Sequence, residues 1–189
     1  NEIGAVFQND YLIEYLTVEQ NIKLVAEFTG VTDFTVSEIL DKVGLTGLEK
    51  KYPGELSGGQ RQRASIARCL AKKPNIIIAD EPTGNLDSKT AVHIFKLLKE
   101  ISKKHIVIIV THDNENAMLY GDAVYNMQDG LIEIIKEDKA LRKNTPNNEK
   151  KSLNKKNNIS LKYSFKIALN TLKFKRFKLY TSIFLAAIS

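Results

Sequence analysis

Cysteine, tryptophan and proline are scarce in this 189-residue chain, which has one Cys, no Trp and 4 Pro. A single thiol closes no internal bridge, so a disulfide-stapled scaffold is excluded, and Cys69 reads as a small buried hydrophobe. With only 10 Gly, no collagen-like repeat is possible, and 43% hydrophobic residues exclude wholesale disorder. No basic stretch with an apolar core behind it opens the chain, so no secretory signal is expected in residues 1–30. The first residue is Asn1 rather than Met, as expected of a piece of a longer chain.

Charge is unevenly spread. Residues 1–135 carry a net −5, residues 136–178 a net +11, and residues 179–189, LYTSIFLAAIS, no charge at all. Basic segments of this kind attract phosphates, whether of nucleic acid or of anionic lipid. The apolar run behind it points to lipid.

The patterning predicts an α/β chain. Residues 18–29 and 35–43 have helical spacing, with turns at Gly30, Gly44 and Gly47, and read as a small helical unit. Ser57 is placed to cap a helix of about four turns that stops before Pro74. Asn75–Asp80 and His105–Asp113 are short apolar runs, expected as strands buried on both faces of a parallel sheet and joined by a helix near 88–103. Ala123–Ile135 alternates around Asp129 and Gly130, a hairpin signal. Residues 136–158 read as a solvated basic linker. In residues 159–178, Leu161, Phe165, Leu169 and Leu172 fall on one helical face with lysines mostly elsewhere, the pattern of a helix lying in a membrane interface. Residues 179–189 would rise only about 16 Å as a helix, half of a span, and are expected to begin a transmembrane helix.

The chemistry is concentrated in ELSGGQRQRASIARCLAKKPNIIIADEPTGNLD, Glu55 to Asp87. Ser57, Gly58 and Gly59 put a hydroxyl and free amides at a helix N-terminus, where an anion is favoured. Asp80 ends an apolar strand and so falls at the carboxyl edge of a sheet, where ligands bind. An Asp there can hold Mg²⁺, and Glu81 beside it can orient and deprotonate an attacking water. His112 follows a second strand and sits at the same edge.

This run closely resembles the nucleotide-binding subunit of ATP-binding cassette (ABC) transporters, a P-loop NTPase-like cassette with a helical subdomain. The matching elements are the signature LSGGQ at Leu56, Ser57, Gly58, Gly59 and Gln60, the Walker B acids Asp80 and Glu81, the D-loop from Gly84 to Asp87, the switch His112, and VFQ at Val6 to Gln8 as the Q-loop. The resemblance covers roughly residues 1–135, with the helical subdomain at about 15–60. It implies ATP and Mg²⁺ as cofactors, with Leu56 to Gln60 and Asp87 on the nucleotide, Asp80 and Gln8 toward the metal, and Glu81, His112 and Gln8 in catalysis. It implies a homodimer as well, because the family's signature loop completes the site of the opposite copy.

One departure stands out. A Walker A loop needs G-x-x-x-x-G-K-[ST], and none of the ten glycines is followed by Lys. Its absence, with that of the family's adenine-stacking aromatic, fits an N-terminal truncation. Such a cassette is expected to be incomplete, inactive alone, and prone to aggregate through exposed sheet faces.

GNLD at Gly84 to Asp87, the Phe7 to Ile22 stretch and the basic linker running into an amphipathic helix resemble the macrolide-exporter and lipoprotein-release class. That class carries a permease domain in the same chain, at the cell membrane, with the ATPase on the cytoplasmic face and peptides, lipoproteins or antibiotics as cargo. Two other readings stay open: an ABC ATPase acting on nucleic acid or the ribosome, against which the apolar tail argues, and a non-hydrolysing scaffold docked on a membrane partner.

Overall fold

Three five-residue strands run parallel in the computed structural model, which describes residues 2–137. They are β1 (Ile3–Phe7), β2 (Ile76–Asp80) and β3 (Ile106–Val110), in that spatial order, with register from Ile3, Ile76 and Ile106 at one end to Phe7, Asp80 and Val110 at the other. All three therefore finish at one edge.

Helix α1 (Val18–Thr29) is opened by a capping box in which Thr17 and Gln20 bond each other's backbone amides, and closed by Gly30 at φ 69°. Helix α2 (Val36–Lys42) follows, and a single 3-10 turn, Pro53–Glu55, leads into α3 (Gly58–Leu70). Helix α4 (Ser88–Ile101) crosses between β2 and β3, as the parallel arrangement requires. Beyond β3 come α5 (Asn114–Tyr120) and the antiparallel pair β4 (Ala123–Gln128) and β5 (Leu131–Glu137). Asp129 and Gly130 turn this hairpin with φ 52° and 77°, the left-handed pair that a tight two-residue turn demands.

The core is built from α1, α2, α3, α4 and one face of the sheet, with Ile22, Leu40, Ile66, Ile77 and Ile94 fully buried. Asn21, buried in the first turn of α1, is completely satisfied: its carbonyl accepts from the Ile13 amide at 2.8 Å and its amide donates to the carbonyls of Ile13, Leu16 and Thr17. One side chain thus folds residues 13–17 onto the helix.

Expectation and structure differ in several places. Burial of the strands on both faces holds for one face only: Val6, Ile77 and Ala79 are buried, whereas Ile3, Phe7, Ile78, Ile106, Ile108 and Val110 lie on the exposed face. Apolar residues on both faces hide the alternation that would have separated the two. The second strand stops at Val110 rather than Asp113, because the Thr111 hydroxyl accepts from the Asp113 amide and Asp113 in turn caps α5. Strand β1 and helix α5 were not expected as elements: Gly4 and Ala5 break the apolar run of β1, and α5 begins with the polar Asn114, Glu115 and Asn116. Helix α3, capped by Ser57 and ending at Leu70 before Pro74, has the expected length of about four turns.

The first two residues of the expected basic linker, Lys136 and Glu137, instead complete β5, and the rest of it, the interfacial helix at 159–178 and the apolar run 179–189 lie outside the described residues. None of the described helices is long and apolar enough to cross a membrane.

Candidate functional site

The carboxyl edge of the sheet places Gln8 directly after β1, Asp80 and Glu81 at and after β2, and Thr111 and His112 after β3. Asp80 is exposed, and its carboxylate meets no donor among the described residues. Glu81 adopts φ 45°, unusual for a residue with a Cβ, and its amide donates to the Val110 carbonyl at 2.8 Å. A non-glycine residue held in this region costs roughly 1–3 kcal/mol. The turn brings the Glu81 carboxylate within 2.9 Å of His112 Nδ1, and the Thr111 hydroxyl approaches the same oxygen at 3.4 Å.

This pair is open to solvent on the imidazole side, with the His112 side chain 81% exposed and that of Glu81 26% exposed. The hydrogen bond to Glu81, and then its negative charge, raise the His112 pKa above the ordinary imidazole value. A carboxylate and an imidazole in contact, facing water at a sheet edge, can position a water and exchange a proton with it.

Gln8 is held from the side. Its amide donates to the Asn85 side-chain carbonyl at 3.0 Å, and the Asn85 amide reaches Asn9 at 3.4 Å. Gly84 lies so close beneath that a Cβ there would fall 2.7 Å from the Gln8 Nε2. With its nitrogen engaged, the Gln8 carbonyl oxygen is left to accept a donor or a cation.

The tip of α3 has the expected cap. Ser57 accepts from the Gln60 amide at 3.3 Å, and the Gln60 side chain accepts from the Ser57 amide at 2.8 Å. Among the described residues, the Gly58 and Gly59 amides donate to nothing, which leaves two oriented donors at the positive end of the helix dipole. Gly58 is exposed, whereas Gly59 is buried, and a Cβ on Gly59 would collide with the Thr90 methyl group. The second glycine is therefore dictated by the packing of α3 on α4. Leu56 is partly buried against the core. Asp87 caps α4, accepting from the amides of Lys89 and Thr90 at 3.1 Å each and from the Thr90 hydroxyl at 2.6 Å, so its carboxylate is committed to the helix.

The predicted residues thus form two groups. Asp80, Glu81 and His112 gather at the sheet edge, with Gln8 one strand away. Ser57, Gly58, Gly59 and Gln60 gather at the α3 tip, and a cavity of about 400 Å³ lined by Gln8, Gly58, Arg61 and Asn85 lies between Gln8 and that tip. Leu56 and Asp87 serve the fold in this copy. Sequence reasoning missed Thr111, Asp10 and Arg61 as members of the site, and held Asn85 only within the D-loop run Gly84 to Asp87. Asp10 and Glu14, four apart, with Arg61 right after the signature, were its one available signal.

The family model described as ABC transporter matches residues 1–84. The chain is 40% identical over 143 residues to a sulfate/thiosulfate import ATP-binding protein of Agrobacterium fabrum, covering 70% of this chain and 41% of that protein. It is 42% identical over 133 residues to a macrolide export ATP-binding/permease protein of Chlorobium luteolum, covering 68% and 20%. The chain thus spans less than half the length of either relative. Among solved structures, a bacterial ABC transporter cassette in dimeric form superposes with a TM-score of 0.60 at 36% identity, covering 72% of this chain and 64% of that one. A dimeric post-hydrolysis state of that cassette, bound to ADP and Pi, gives 0.59 at 36% identity over the same shares.

Proposed function

We propose that the described residues form an ABC transporter ATPase domain and that the chain supplies the nucleotide-binding and nucleotide-hydrolysing part of a transporter, coupling ATP hydrolysis to movement of a substrate across or out of the cell membrane. The observation that carries this reading is the contact of Glu81 with His112 at the sheet edge beside Asp80.

In this reading Glu81 holds and deprotonates the attacking water, and the strained turn at Glu81 aims the carboxylate outward to do so. His112 steadies that carboxylate and reaches the terminal phosphate from its exposed side. Two copies face each other, as in the dimeric cassette to which the chain is similar. The free amides of Gly58 and Gly59 at the Ser57-capped tip of one copy then receive a phosphate seated at the acidic edge of the other.

The donors at the edge suit Mg²⁺: one unpaired carboxylate at Asp80 and the free carbonyl oxygen of Gln8, leaving most positions to water and phosphate oxygens. When bound, the ion would neutralise charge on the phosphates. Asp87 acts here by fixing the start of α4.

Export, by a permease domain following in the same chain, is supported by the GNLD run and by the basic and amphipathic segments from 136 to 189. Importing and exporting relatives match the cassette itself equally well. The ATPase domain would sit on the cytoplasmic face, with membrane lipid against residues 159–178.

Phosphate release from ATP by the natural full-length protein tests the reading. Glu81→Gln should lower turnover by about 100-fold or more while leaving ATP binding intact. Equal turnover in the two proteins would overturn the assignment.

A further inference from the structure

Helix α3 grips the irregular segment after β1 with three side chains. Gln62 donates to the Phe7 carbonyl at 3.0 Å, and Arg68 donates to the carbonyls of Asp10 at 2.8 Å and Tyr11 at 2.5 Å. These hold backbone. Arg61 instead engages side chains: its Nε and Nη2 meet the two oxygens of Asp10 at 2.8 and 3.2 Å, and its Nη2 and Nη1 meet those of Glu14 at 2.5 and 3.3 Å.

The pair with Asp10 is a planar fork on a carboxylate, largely shielded, with side-chain exposures of 26% and 18%. Asp10 shapes the segment in turn, because its Oδ1 also accepts from the Leu12 amide at 2.9 Å. Arg61 stands one turn from the α3 tip, its own amide bonded to the Ser57 carbonyl at 2.8 Å. A continuous set of directional bonds therefore runs from the Ser57 tip through Arg61 to Asp10, two residues from Gln8.

We propose that Arg61 is a positioning residue that locks the Gln8 segment to the tip of α3, so that the two shift as one body when nucleotide binds. This rests on the functional reading above, in which Gln8 serves one nucleotide site and the α3 tip serves the other; the Arg61 fork then ties the two sites to each other. Lysine could keep the charge but not the fork, since an ammonium makes no planar two-point contact with Asp10 while also reaching Glu14.

The test is hydrogen–deuterium exchange on the natural full-length protein carrying Glu81→Gln, with and without ATP and Mg²⁺, in three forms: Arg61 intact, Arg61→Ala and Arg61→Lys. With Arg61 intact, nucleotide should slow exchange both at 58–61 and at 9–16. In Arg61→Ala the response at 58–61 should persist, while the response at 9–16 should fall by about threefold or more, with Arg61→Lys rescuing it only in part. An undiminished response at 9–16 in Arg61→Ala would overturn the proposal, as would faster exchange there in both states with the nucleotide response unchanged, the signature of a merely stabilising contact. Should Arg61→Ala fail to fold, full rescue by Arg61→Lys would overturn it equally. Absence of any nucleotide response with Arg61 intact would instead overturn the functional reading, and this inference with it.

Discussion

His112 and Glu81 meet at 2.9 Å although they leave different strands, because the left-handed turn at Glu81 swings its carboxylate toward the end of β3. The contact favours the charged imidazole, so the folded-state pKa of His112 lies above that of an unfolded chain. The stabilisation is thus fully present below about pH 6.5, the ordinary imidazole value, and is lost as pH rises through the raised folded value. An NMR titration of the His112 ring should show a midpoint above the ordinary one, and Glu81→Gln should bring it down. Identical midpoints in the two proteins would mean that the pair does not form in solution.

The close approach of Gly84 to Gln8 makes a second expectation. A methyl group at 84 would stand 2.7 Å from the Gln8 amide and push it off Asn85. Gly84→Ala should reduce ATP turnover by about tenfold with nucleotide binding retained, since a small misplacement of a site group is costly. Asn85→Ala releases the same amide without the clash and should act in the same direction, more weakly. Phosphate release measured beside nucleotide binding decides it: unchanged turnover in Gly84→Ala would sink the idea.

Gly59 is expected to resist substitution for a packing reason. Its Cβ would overlap the Thr90 methyl, and Thr90 cannot turn away without losing its 2.6 Å hydrogen bond to Asp87. Gly59→Ala should destabilise the protein by about 1–3 kcal/mol despite the better helix propensity of alanine. Adding Thr90→Ser removes the methyl, keeps the hydroxyl and should recover most of the loss. Denaturant unfolding of the single and double variants reads both, and a stabilised Gly59→Ala would refute the packing account.

Asn21 should be among the residues least replaceable for stability. Asn21→Ala strands the Ile13 amide and removes the donor to three carbonyls at a position only 1% exposed. A loss of about 3 kcal/mol is expected. Thermal unfolding checks it, and a shift within the error of the wild-type midpoint would contradict the assignment of Asn21 as the organiser of residues 13–17.

Much of the fold was readable in the order of residues because its signals are local. Ser57 announces a helix start, Gly30 a stop, and Asp129 with Gly130 a hairpin turn. The apolar runs at Asn75–Asp80 and His105–Asp113 announced two strands with their carboxyl ends together, the second ending three residues early. The same runs could not tell which sheet face would be covered, since both faces carry isoleucine and valine.

The linear chain by itself determined the chemistry on offer: a capped helix tip with two spare amides, two adjacent acids after a strand, and a histidine after the next, each specified by neighbours within a few residues. Only the tertiary structure decided which of these groups touch. The 2.9 Å contact of Glu81 with His112, the seat of Gln8 on Asn85 and the fork of Arg61 on Asp10 join residues 31, 77 and 51 positions apart. Such pairs arise from strand register and helix docking, which are set by burial across the whole core rather than by any local run of residues.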